Sequence, residues 1–153
     1  MPKLRHYSEV DSWYFITTTL RSPLKLFSNP ANSDILLNVI ANRLADQSFN
    51  LDEFVIMPDH FHAIIIPRTK QLADIIKEIK RGSARLINIR EGIRSRSIWL
   101  TEYYDEQIRS EKDLYNKRNY IWYNPVKVSL SDTPEQYLFS SANEGIRRRF
   151  NLS

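Results

Sequence analysis

The chain has 153 residues, 42% hydrophobic and 26% charged, a balance that suits one soluble globular domain with a single sizeable core. Lys+Arg 22 against Asp+Glu 18 leaves a net charge of +4, a mild bias toward polyanionic partners that many ordinary proteins share. Without cysteine there is no disulfide and no thiolate metal site, and no apolar run approaches the ~20 residues needed to span a bilayer.

The first ten residues, MPKLRHYSEV, lack the apolar core of a secretory signal, so a cytoplasmic protein is expected. No repeat, low-complexity tract or glycine-rich phosphate loop divides the chain. WYFITTTL (13–20) is rich in aromatic and β-branched residues and predicts a strand, closed by Pro23. NSDILLNVIANRLADQ predicts a helix capped by Asn32 or Ser33, with Ile35, Leu36, Val39, Ile40 and Leu44 as its apolar stripe. LDEFVIM and FHAIIIP predict two strands joined at a Pro58-Asp59 turn. A second helix is expected over 71–89, with Leu72, Ile75, Ile76 and Ile79 facing the core. After a basic loop, SIWLTEYY predicts a further strand. SEKDLYNKRNYIWYN predicts a third helix, begun by Ser110 with Asp113 three residues on and ended at Asn124-Pro125. Strand, helix, strand, strand, helix, strand, helix is the order of an α+β sandwich with an antiparallel sheet.

Two of the three histidines fall in MPDHFHAIIIP. Side chains at i and i+2 of a strand share a face, so His60 and His62 project side by side, away from Phe61, Ala63 and Ile65. That geometry suits a shared cation, although a hydrogen-bonded core histidine is the ordinary alternative. Two imidazoles alone make an incomplete site, and there is no HExxH to complete it. On the third helix Tyr120 and Asn124 are one turn apart and share a face. Asn124 alone reads equally well as a helix terminator, and Tyr120 as packing. His6 has no same-face partner and reads as a surface or hydrogen-bonded residue.

MPDHFHAIIIP followed by YIWYNPVKVSL resembles the single-tyrosine HUH transposases of the IS200-like superfamily, especially the branch associated with repetitive extragenic palindromes. That family repeats MPNHxH on a strand, YIxxNPVxxGL at a helix end and a following SS, in this order. IWLTEYYDEQIRSEKDL and YLFSSAN fit the same pattern, so the resemblance runs from the first strand to about residue 143. Asp59 stands where Asn is common, and Val128-Ser129 replaces a small residue and Gly.

The resemblance implies a ferredoxin-like α+β sandwich, an antiparallel sheet with helices packed on it, formed by residues 1–153 as one HUH transposase-like domain with a basic, flexible tail from about 144. It implies that His60, His62 and Asn124 bind a divalent cation, Mg²⁺ or Mn²⁺, and that Tyr120 is the catalytic nucleophile. The implied activity is metal-dependent cutting and joining of single-stranded DNA near hairpins through a 5′-phosphotyrosine. A domesticated palindrome-processing enzyme and a catalytically silent single-stranded DNA-binding module are the alternatives, and both a homodimer with exchanged tyrosines and a monomer are open.

Among the other tyrosines, Tyr123 is the substitute nucleophile to consider and Tyr115 faces elsewhere on the helix. Tyr103 and Tyr104 fall in the strand region. Lys77, Lys80, Arg81, Arg85, Arg90, Arg94 and Arg96 form a basic stretch suited to DNA phosphates, with a solvated helix face as the plain alternative. Arg147, Arg148 and Arg149 form a second basic cluster. Trp99, Trp122 and Tyr104 are candidates to stack on unpaired bases, or simply to pack in the core.

Overall fold

The computed structural model describes residues 11–152; His6 lies outside them. Four strands, β1 (Trp13–Thr19), β2 (Phe49–Ile56), β3 (His60–Pro67) and β4 (Tyr104–Ile108), form an antiparallel sheet in the order β2-β3-β1-β4. Helices α1 (Pro30–Leu44) and α2 (Leu72–Glu91) connect β1 to β2 and β3 to β4, which is the ferredoxin-like arrangement. Helix α3 (Glu111–Lys127) and a short α4 (Glu144–Arg149) follow.

Strand alternation separates two cores. Ile16, Phe54, Ile56, Phe61, Ala63 and Ile65 pack with Leu36, Ile40, Ile75 and Ile79 of α1 and α2 on one face. Phe15, Val55, Met57 and Ile64 pack with Ile121 of α3 on the other. The histidines share the second face. Gly82 lets α1 and α2 close up, since a Cβ there would stand 3.2 Å from Val39 Cγ1.

Several boundaries differ from expectation for physical reasons. α1 begins earlier: Asn29 Oδ1 accepts the Ala31 amide at 3.0 Å and Pro30 supplies the preset first-turn φ. Asn32 and Ser33 are buried inside the helix, donating to the carbonyls of Leu26 and Phe27 in the preceding 3₁₀ turn (Leu26–Ser28). The segment expected as a strand at 97–104 is mostly irregular. Ile98 and Trp99 plug the α1/α2 core, Trp99 Nε1 donates to Ser83 Oγ at 3.0 Å, and only a single bridge to Leu20 joins Trp99 to the sheet. The real strand starts at Tyr104 and is too polar to announce itself. α3 passes through Pro125 and ends at Lys127, with Ser129 taking the left-handed φ of 63° at the position where the family pattern has Gly.

The stretch from 144, expected as a flexible tail, is helical. Asn143 Oδ1 caps α4, and Arg147 Nη1 reaches both oxygens of Glu53 at 2.8 Å where β2 is irregular between Leu51 and Phe54. Ser140 and Ser141 are fully buried and dock their segment on β2: Ser141 N donates to Phe54 O, and Ser141 Oγ accepts the Phe54 amide, both at 2.9 Å. The edge of β2 is thereby covered.

Candidate active site

His60 and His62 emerge from β3 on the α3 face with ring centroids 4.6 Å apart. Each uses its Nδ1 within the protein. His60 Nδ1 lies 2.7 Å from Asp59 Oδ1, and His62 Nδ1 lies 2.8 Å from Thr17 Oγ1 on the neighbouring strand. Such contacts fix ring orientation and leave Nε2 of both rings as the remaining ligand atom. His62 is only 5% exposed, and burial, helped by the neighbouring His60, pushes its pKa down to about 3. Its imidazole is therefore neutral at physiological pH, the form that binds metal.

α3 brings Tyr120 over this pair. Its ring centroid is 5.2 Å from that of His62 and 5.8 Å from that of Phe15, and the residue is 47% exposed. Phe15 holds the cluster together, stacking on His62 at 5.4 Å and taking Lys117 Nζ over its ring at 5.6 Å. Asn124 lies one turn beyond Tyr120 and is 8% exposed, and its amide is not among the buried polar atoms left without a partner. No group of three or more His, Cys, Asp or Glu side chains suited to a metal occurs among the described residues. Two imidazole nitrogens and an amide oxygen, with positions left for other oxygens, are a donor set that would suit a Mg²⁺- or Mn²⁺-like ion.

Sequence reasoning missed Phe15, Thr17 and Lys117. Alternation along WYFITTTL puts Trp13, Phe15 and Thr17 on one face, and Lys117 precedes Tyr120 by about one helical turn, so both signals were present. Lys117 bridges Glu106 at 3.2 Å and Asp113 at 3.4 Å; burial opposes its charge, but these carboxylates raise its pKa above the ordinary lysine value. Tyr123 faces a separate cavity of about 610 Å³ with Trp122, Asp52 and Arg118, and Tyr115 is exposed.

The basic stretch divides. Lys80 donates to the carbonyls of Leu100 and Thr101 at 2.6 and 3.1 Å. Arg90 Nε donates to Asn32, while Arg96 donates to Asn88 and, at 2.7 Å, to Glu91. Lys80 and Arg96 brace the α2-to-β4 connection, and Arg90 ties α2 to α1. Lys77, Arg81, Arg85 and Arg94 are exposed, with no hydrogen bond or ion pair among the described residues. Lys77, Arg81 and Arg85 belong to α2, on the other side of the sheet from the histidines. No helix among the described residues is long and apolar enough to cross a membrane.

The chain is 26% identical to an uncharacterised protein of Haemophilus influenzae, over 81% of this chain and 86% of that one. It is 23% identical to the REP-associated tyrosine transposase of Escherichia coli K12, over 94% of this chain and 84% of that one. Its fold matches a solved structure of a REP-associated tyrosine transposase bound to a REP hairpin, with a TM-score of 0.78 at 24% identity, covering 98% of this chain and 88% of that one. Residues 11–124, most of the chain and all of the cluster built around Phe15, match the family described as transposase IS200 like, and the protein belongs to that family.

Proposed function

We propose that this IS200-like transposase cuts and rejoins single-stranded DNA beside a hairpin, with Tyr120 as nucleophile. The observation that carries the reading is the position of a half-exposed phenol 5.2 Å, ring to ring, from a buried neutral histidine whose neighbour is a second histidine. Attack of Tyr120 Oη on a backbone phosphorus forms a P–O bond and breaks the bond to the 3′ oxygen, which takes up a proton and leaves as a 3′-OH. The phenolic proton passes to solvent, and the DNA stays attached as a 5′-phosphotyrosine. Attack by a 3′-OH reverses the step and rejoins strands without ATP.

His60, His62 and Asn124 would hold a divalent cation, Mg²⁺ or Mn²⁺, which when bound polarises the phosphate and offsets its developing charge. Asp59 and Thr17 keep the two imidazoles oriented. Phe15 and the packing of Ile121 fix the face that α3 presents. The solved structural relative is described with a REP hairpin, and a hairpin-forming DNA is the partner inferred here. Of the basic stretch, Lys77, Arg81, Arg85 and Arg94 are the cations left to meet phosphates; those on α2 lie across the sheet from the histidines and suit the hairpin stem rather than the cut strand.

Tyr120 stands beside the histidines of its own chain, which supports action in cis, as opposed to a homodimer with exchanged tyrosines. Mixing His60→Ala and Tyr120→Phe chains then restores no activity. The direct test is a denaturing gel of labelled hairpin DNA with the protein, in Mn²⁺ and in chelator. A covalent adduct that needs both the cation and Tyr120 supports the reading; tight binding without an adduct identifies a silent binding module instead.

A further inference from the structure

A cavity of about 380 Å³ flanks the histidine pair on the β4 side of the sheet and takes no part in the chemistry above. Thr17 and Thr19 line it from β1, Leu100 and Tyr103 from the approach to β4, and Tyr104 from the first residue of that strand. The register ties it to the site. Thr17 is paired with His62 on one side and with Tyr104 on the other, and Thr19 is paired with His60. Thr17 therefore serves as a common wall, its hydroxyl on His62 Nδ1 at 2.8 Å and its side chain lining the cavity. One strand spacing of ~4.8 Å separates the rows, so a base next to a phosphate held at the histidines is within reach of this cavity.

The walls specify the occupant. The lining includes an aromatic ring, a leucine, two threonines and Glu102, with no lysine or arginine, so it favours a flat, uncharged ring over a phosphate; Asp105, paired with Ile16, turns its side chain to the opposite face of the sheet. The volume is at the small end of ligand sites, about right for one base with part of its sugar. Tyr104 is 54% exposed yet held, its hydroxyl donating to Glu106 Oε2 at 3.0 Å and its ring meeting Phe15 edge-on at 6.4 Å. A fixed, exposed aromatic ring is what an unstacked base finds in single-strand binders. The carboxylate of Glu102 would accept a hydrogen bond from an exocyclic amino group, which adenine, cytosine and guanine carry and thymine lacks.

We propose that this cavity holds one unpaired nucleobase next to the cleaved phosphate, stacked on Tyr104, and that it prefers a base with an exocyclic amino group. The proposal rests on the DNA-cutting reading, but its test needs no cutting. Hairpin oligonucleotides with single-stranded flanks are bound to the Tyr120→Phe chain while an abasic residue is moved through the flanks one position at a time. At one position the abasic residue weakens binding about tenfold, and thymine there binds more weakly than adenine or cytosine. Adding Tyr104→Ala removes the sensitivity at that position alone, and Tyr104→Phe, which keeps the ring, retains it. The absence of any such position, or a sensitivity that survives Tyr104→Ala, overturns the proposal. Adduct formation by the unaltered chain is scored separately, so a failure of the cutting chemistry with the base coupling intact rejects only the catalytic reading.

Discussion

Arg147→Ala should destabilise the protein by about 3–5 kcal/mol, far more than the same change at Arg148 one residue on. The Glu53 side chain is 4% exposed, and both of its oxygens lie 2.8 Å from Arg147 Nη1, which also donates to the Ser141 carbonyl at 2.9 Å. Removing the guanidinium strands a carboxylate in the irregular part of β2 and takes a donor from the segment that covers the sheet edge. Arg148 pairs with Glu144 across open solvent, the side chains 77% and 79% exposed, where an ion pair contributes ~0–1 kcal/mol. For a chain of this size, 3–5 kcal/mol corresponds to a fall in Tm of roughly 10 °C. Urea unfolding followed by circular dichroism compares Arg147→Ala, Arg148→Ala and the double variant Arg147→Ala with Glu53→Gln. Arg147→Ala alone should be the least stable of the three, and neutralising Glu53 should recover part of the loss. Equal, small effects at Arg147 and Arg148 would refute the claim that α4 is anchored by a buried pair.

Three further expectations concern the site and its surroundings. The lowered pKa of His62 means that the unfolded chain takes up a proton first as pH falls, so stability is full above ~6.5 and is lost toward pH 3, at up to ~1.4 kcal/mol per pH unit; unfolding across this range should show a shallower acid slope in His62→Gln, and an unchanged slope counts against the burial argument. Asp59→Ala and Thr17→Val each free one imidazole from its Nδ1 partner and should weaken Mn²⁺ binding about 10–100-fold by calorimetry on the DNA-free protein, whereas unchanged affinity would mean that neither contact orients a ligand. Lys80→Ala should lower stability by about 2 kcal/mol because two carbonyls lose a charged donor, while Lys77→Ala and Arg81→Ala should leave stability intact and reduce the salt dependence of DNA binding.

What could be read from the sequence depended on where a local signal and the tertiary environment agreed. Period-two alternation put His60 and His62 on one face, and the Leu72, Ile75, Ile76 and Ile79 stripe marked the buried side of α2; both are set by backbone geometry alone. The apolar SIWL segment misled because hydrophobicity marks burial rather than extension: Ile98 and Trp99 fill the core from an irregular stretch whose carbonyls are taken by Lys80. The polar Tyr104–Ile108 strand gave no comparable signal, since as an edge strand it needs few buried side chains. Charge density along 77–96 could not separate cations that brace the fold from those left in solvent. Lys80, Arg90 and Arg96 find their acceptors on α1, on α2 and in the loop after it, contacts set by tertiary packing rather than by local sequence. Alternation gives the face of Phe15, but its importance comes from what different elements place around one ring, which local sequence does not carry.

The most direct test of the account is to digest the covalent complex with nuclease and trypsin and to locate the residual nucleotide by mass spectrometry. Cleavage after Arg118 and Lys127 releases one peptide, residues 119–127, that contains both Tyr120 and Tyr123. A nucleotide on Tyr120, the phenol beside His62, is the predicted result; a nucleotide on Tyr123, which faces the other cavity, or on no tyrosine at all would contradict it.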